Sequence, residues 1–95
     1  MERYYVYILQ SKKDNDLYIG YTNNLKKRLQ QHARGAVSST EHRQPLTLIH
    51  YEYFINKEDA MAREIFLKSG YGHTQLQSIL KRTFQDSKQQ YFSLP

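Results

Sequence analysis

The chain has 95 residues, 39% hydrophobic and 24% charged, the composition of one ordinary globular domain, which excludes wholesale disorder. It contains no cysteine, which excludes disulfides, thiolate catalysis and zinc–thiolate sites, and no apolar run approaches the roughly 20 residues that cross a bilayer. Fourteen Lys+Arg against nine Asp+Glu give a net charge of +5, a balance that favours a polyanionic partner.

Met1 to Tyr4 leads directly into a strand-like segment with no secretory h-region, so the cytoplasm is the expected compartment, with no membrane partner. Tyr4 to Leu9 is aromatic and β-branched without a polar break, as expected of a strand buried on both faces. The polar cluster Ser11–Asp16 predicts a turn, and Leu17–Tyr21 a second strand, so the first 21 residues read as a β-hairpin. Gly20 marks a turn or a close approach to the backbone. Thr22 or Asn23 is the expected cap of a helix from about Asn24 to Arg34, with Gly35 as its stop. Residues 36–46 read as a loop and Leu46–Phe54 as a third strand. Asn56 is expected to cap a helix from about Lys57 to Ser69, with Asp59 at the third position and Gly70 ending it. Thr74 is the expected cap of a third helix, with Leu76, Ile79 and Leu80 on one buried face. The order β-β-α-β-α-α holds too little sheet for a dinucleotide-binding fold. It predicts an α+β domain over residues 1–84, a small, mainly antiparallel three-stranded sheet flanked by about three helices. Residues 85–95 read as a C-terminal tail in which Tyr91-Phe92 docks or dangles.

Three places break the bland pattern. On the first helix, a step of about 100° per residue puts Leu25, Leu29 and Ala33 on one apolar stripe, with His32 beside Leu25 and Arg28 just off its edge. As i,i+4 neighbours, Arg28 and His32 project together. They are either an ordinary rim arginine and a satisfied core histidine or parts of a site. On the second helix, Met61 and Ile65 bound one side of the apolar arc and Ala60 and Leu67 the other. Glu64 falls between them, where an unpaired carboxylate would be costly. It either pairs with Lys68 or faces a cleft and holds a cation. On the strands, Tyr5 shares a face with Tyr7, and Tyr18 with Gly20.

Taken together, these residues resemble the GIY-YIG nuclease family over roughly residues 3 to 83. Tyr5-Val6-Tyr7 and Tyr18-Ile19-Gly20 stand as the two name motifs. Thr22, Leu25, Arg28 and His32 match that family's Thr-x-x-Leu-x-x-Arg-x-x-x-His helix, and Ala60 to Gly70 is similar to the helix that carries its metal-binding glutamate. The resemblance is closest to the small stand-alone members. Tyr5 stands where the name motif has Gly, and Tyr21 follows Gly20 where the excision-repair relatives carry a lysine.

The resemblance implies a metal-dependent DNA endonuclease with catalytic Tyr7, Tyr18, Arg28, His32 and Glu64. Glu64 would hold Mg²⁺ or Mn²⁺, hard cations that keep several waters. Arg28 would supply fixed charge to phosphate. Either Tyr7 or Tyr18 would accept the proton of the attacking water, and His32 would relay that proton or orient a tyrosine. Binding is expected from Lys26, Lys27, Arg34 and Arg43, extended by Arg63, Lys68, Lys81 and Arg82. No base-reading helix is evident, so recognition is expected to follow DNA structure, as in repair or recombination, by a monomer. Two alternatives stand beside this: a nucleic-acid-binding module without turnover, and a protein-interaction domain with a Tyr-rich surface.

Overall fold

An unbroken apolar strand calls for cover on both faces, and the Tyr4–Leu9 run is also paired along both edges. In the computed structural model, which describes residues 2–86, β1 (Tyr4–Ser11) is the central strand of a three-stranded sheet between β2 (Leu17–Thr22) and β3 (Leu46–Phe54). Both pairings are antiparallel, with Tyr7 opposite Gly20 on one side and Tyr51 on the other. Residues 6–11 of β1 are buried. β3 carries one extra residue at Ile49, where the register shifts between Ile8 and Leu9.

The β1–β2 turn is closed by backbone bonds between Ser11 and Asp16 and between Asn15 and Ser11, with Asn15 at a positive φ of 63°. The helix α1 (Leu25–Ala33) follows, and its cap is Asn24, one residue later than expected: its side chain accepts the Lys27 N–H at 3.1 Å. Thr22 instead accepts the Asn24 N–H. Gly35 stops α1 as expected, at φ +73°. Bonds from Gly35 N–H to His32 O and from Ala36 N–H to Gln31 O close a Schellman motif, and the Gln44 side chain donates to the carbonyls of His32 and Ala33. The stretch read as loop contains a 3-10 turn at Glu41–Arg43 and buries Val37 and Thr40.

Asn56 caps α2 (Lys57–Lys68) as expected, accepting the Asp59 N–H at 3.1 Å. Four expectations about these helices fail. Met61 and Ile65 are 43% and 69% exposed while Ala60 and Leu67 are closed off, so the buried stripe of α2 is narrower than the apolar count suggested. Gly70 does not leave a gap: Ser69 accepts the Gly72 N–H and starts α3 (Gly70–Ile79) at once, so Thr74 lies inside the helix and donates to Gly70 O. Leu76 and Leu80 are buried on this helix, but Ile79 is half exposed. A further helical stretch covers 81–86, and Tyr91-Phe92 lies outside the described residues.

The described residues group into two compact units that divide between Glu64 and Ile65. The core of the first is Val6, Tyr7, Ile8, Leu9, Ile19, Val37 and Ala60; that of the second is Leu67, Leu76 and Leu80. Gly72 permits the close turn in the second unit, because a Cβ there would run into Phe66 O and the Leu67 Cα. Among the described residues no helix is long and apolar enough to cross a membrane.

Candidate active site

Strand parity puts Tyr5, Tyr7 and Leu9 on one face of β1, and the register adds Tyr18 and Gly20 from β2 and Tyr51 and Tyr53 from β3. Gly20 belongs to a close approach: a Cβ on it would overlap Cζ and the hydroxyl oxygen of Tyr7. The tyrosine ring therefore lies flat across β2 only because position 20 has no side chain.

That placement aims the fully buried Tyr7 hydroxyl at α1. It lies 2.9 Å from Nε2 of His32, itself 1% exposed. The other ring nitrogen, Nδ1, is 2.8 Å from the Thr40 hydroxyl, which reaches the carbonyl of Val37. The carbonyl can only accept, so Thr40 donates to it and accepts from Nδ1–H. Nε2 is then the bare nitrogen, and Tyr7 donates to it. Every member of this chain is satisfied, and among the described residues no buried side-chain polar atom lacks a partner.

Tyr18 completes an aromatic triangle. Its ring centroid is 5.1 Å from that of His32 and 6.2 Å from that of Tyr7, and His32 meets each tyrosine edge-on. Unlike Tyr7, Tyr18 is half-buried. The Arg28 guanidinium interacts with the hydroxyls of both tyrosines, which hold it firmly protonated, and is steadied by a 3.1 Å bond to Gln31 Oε1. Burial pushes the Tyr7 phenol up to about 12, against the pull of Arg28 and with a further push from Tyr18. Burial, then the Arg28 charge, lowers His32, so the imidazole is neutral near pH 7.

Tyr7, Tyr18, Arg28 and His32 therefore converge. Glu64 comes from a different element, half-buried on α2 along the line of Ala60 and Leu67. α2 is pinned to β3 one residue earlier: Arg63 donates from Nε and Nη2 to the two carboxylate oxygens of Glu52 at 2.8 and 3.0 Å, and His50 Nε2 lies 3.0 Å from the same carboxylate. Burial raises Glu52, but the bonds from Arg63 and His50 outweigh it and hold the carboxyl below its usual range. Arg63, expected on the phosphate-facing surface, is thus engaged by Glu52.

The remaining cations divide similarly. Lys26, Lys27, Arg34 and Lys68 are exposed, as are Lys81 and Arg82; Arg43 is half-buried and 3.7 Å from Asp14. Lys27 and Arg28 line a cleft of about 440 Å³ with Tyr21, Thr22, Asn23, Asn24, Gln31 and Lys57. Two members of this neighbourhood were missed by the sequence. Lys57 lies on the next helix, and Thr40 sits in a loop, where only the requirement that a buried imidazole satisfy both nitrogens could have called for it. Among the described residues no three His, Asp or Glu side chains gather into a metal cage. A donor set of Glu64 alone fits Mg²⁺ or Mn²⁺, which keep several waters and take one or two carboxylates, and does not fit zinc.

Known proteins resemble this chain in sequence and in fold. The model of the GIY-YIG catalytic domain matches residues 3–77. A UPF0213 protein of Clostridium perfringens is 40% identical over 83 residues, covering 86% of this chain and 88% of that one. A UPF0213 protein of Staphylococcus haemolyticus is 39% identical over 83 residues, 86% of this chain and all of that one. The solution NMR structure of the UPF0213 protein BH0048 from Bacillus halodurans superposes with a TM-score of 0.53 at 38% identity, over 81% of this chain and 84% of that chain. Its sheet, its two-tyrosine face and the match over most of its length place the chain in the GIY-YIG nuclease family.

Proposed function

We propose that the protein is a metal-dependent endonuclease that hydrolyses DNA phosphodiester bonds and selects its substrate by DNA structure rather than sequence, in repair or recombination. One observation carries this reading: two tyrosine hydroxyls and an arginine meet on one sheet face beside a buried neutral histidine.

Phosphodiester hydrolysis needs a proton acceptor for water and positive charge for the crowded phosphate oxygens. Tyr18 suits the first task, because it is the half-buried phenol, whereas Tyr7 is closed to solvent and already donates to His32. Water can pass its proton only to a phenolate, which becomes the phenol as the hydroxide forms, and a free phenol with a pKa of about 10 is seldom in that form near neutrality. The Arg28 guanidinium beside the hydroxyls is the positive charge that favours an anionic oxygen there. As Tyr18 takes the proton, Arg28 is left with hydrogen-bonding capacity for a non-bridging phosphate oxygen. Tyr7 and His32 are positioning residues in this scheme, fixing the ring stack on which Tyr18 leans. A divalent cation held by Glu64 would supply Lewis-acid charge at the phosphate and the departing oxygen. Lys27 and Lys57 beside Arg28 line the cleft that would receive the backbone.

A second reading is a nucleic-acid-binding module without turnover, for which the exposed cations Lys26, Lys27 and Arg34 on and after α1 are sufficient. Cleavage of a panel of labelled duplex, nicked, flapped and branched DNAs with Mg²⁺, Mn²⁺ or EDTA separates the two. The nuclease reading expects metal-dependent cleavage that Glu64→Gln reduces by at least roughly 100-fold with an unchanged melting temperature. Salt-sensitive binding without cleavage by the wild type would establish the second reading.

A further inference from the structure

The candidate site uses only half of its sheet face. On the same face, Tyr51 and Tyr53 of β3 are 52% and 46% exposed, although tyrosine normally buries most of its ring. They stand in register opposite Tyr7 and Tyr5. Tyr5 lies between them and the site, its ring centroid 6.1 Å from that of Tyr51 and 5.6 Å from that of Tyr53. β3 is an edge strand, so its outer side is also open.

Two adjoining hollows extend this surface. One, of about 300 Å³, is lined by Arg3, Tyr5, Tyr51 and Tyr53. The other, of about 760 Å³, shares Arg3 and Tyr5 with it and continues to Leu25, Lys26 and Leu29 on α1; Glu2 also lines it, its carboxylate accepting from the Tyr4 hydroxyl. Three aromatic rings lie in a patch flanked by Arg3 and Lys26, neither of which lines the cleft at Arg28. Bases present a π-face irrespective of sequence, and exposed aromatics on a sheet with flanking cations hold single strands by stacking. A duplex offers no free base face to such a patch. A purely apolar partner would leave Arg3 and Lys26 without counter-charge.

We propose that Tyr5, Tyr51 and Tyr53 form a stacking platform for an unpaired DNA strand, whose phosphates are met by Arg3 and Lys26, and that this platform delivers flapped or frayed DNA to the tyrosine face of the site. The proposal rests on the nuclease reading for its choice of DNA and for the delivery step. The stacking itself does not depend on turnover.

The test reads binding alone, in EDTA, by fluorescence anisotropy of a labelled duplex with a single-stranded arm and of the same duplex without one. The wild type binds the armed duplex at least roughly tenfold more tightly. Tyr51→Thr/Tyr53→Thr, which keeps strand propensity and removes both rings, abolishes that preference, and Tyr51→Phe/Tyr53→Phe, which keeps the rings, retains it within about threefold. Melting curves verify that each variant is folded, and Tyr53→Phe paired with Tyr51→Thr serves if the double threonine variant is not. The proposal is overturned if the threonine variant keeps the preference, if the phenylalanine variant loses it as fully, or if sedimentation shows wild-type dimers that the threonine variant dissolves, which would make the face a contact between copies. Cleavage is not measured, so a wild type that never cuts DNA leaves a positive result standing, and a failed platform leaves the Glu64→Gln test intact.

Discussion

The Tyr7 hydroxyl sits 2.9 Å from Nε2 of His32, both side chains closed to water, and the direction of that bond is set at the far side of the ring by Thr40. Thr40→Val keeps the volume and removes the acceptor for Nδ1–H. Leaving a buried donor unpaired is expected to cost about 1–3 kcal/mol. Urea unfolding at pH 7 measures it, and Thr40→Ser, which keeps the hydroxyl, should recover most of the loss.

His32 also makes stability depend on pH with a definite sign. Its imidazole is lowered from 6.5 by burial and by Arg28. Below pH 6.5 the unfolded chain therefore binds a proton that the folded state refuses, so the unfolded state gains. The contribution is present above that pH and is lost as pH falls through the lowered folded value, with a slope of at most about 1.4 kcal/mol per pH unit. Unfolding free energies between pH 7.5 and 5 should show this slope in the wild type and a shallower one in His32→Gln.

Gly20→Ala tests the close approach of Tyr7 to β2. The added methyl overlaps the phenol ring, so a loss of about 1–3 kcal/mol is expected, together with displacement of Tyr7 from His32. In a Tyr7→Leu background the same substitution should cost much less, because the atoms it collides with are gone. Thermal melts of the four proteins complete the cycle.

The Glu52–Arg63 pair holds α2 to β3 by two bonds. A double-mutant cycle with Glu52→Gln and Arg63→Met is expected to give a coupling of about 1 kcal/mol. The folded carboxyl of Glu52 is depressed, so its contribution is present above the usual glutamate pKa and fades as pH falls through the folded value. The coupling should accordingly be larger at pH 7 than in acid.

Much of the fold was legible, for reasons that differ along the chain. β1 stood out because a strand buried on both faces carries no polar break, and α1 because Gly35 supplies a left-handed stop. The α2–α3 junction was opaque. Glycine at 70 has the form of a terminator, whereas the decisive glycine is Gly72, selected by a backbone contact that no local pattern encodes. Met61 and Ile65 misled because counting apolar residues assumes that all of them are covered. Tyr7, Tyr18, Arg28 and His32 drew notice through strand parity and i,i+4 spacing, because they lie on elements of regular period, but it was the family resemblance that joined them into one site. Thr40 could not, being carried to His32 by a loop, and neither could the employment of Arg63 by Glu52, a partner on another element.

The hairpin has a consequence for how the protein is made. Tyr7 and His32 are separated by 25 positions and His32 and Thr40 by eight, while Tyr7 and Tyr18 face each other across a single turn. Closure entropy grows with the logarithm of the intervening length, so these pairings cost less chain entropy than the β1–β3 pairing of Tyr4 with Phe54. On the ribosome, every atom of the Tyr7–His32–Thr40 chain has been synthesised before the first residue of β3 appears. The carboxylate of Glu64 arrives after all of them, so a nascent chain holds the complete hydrogen-bonded aromatic cluster before it holds that acid.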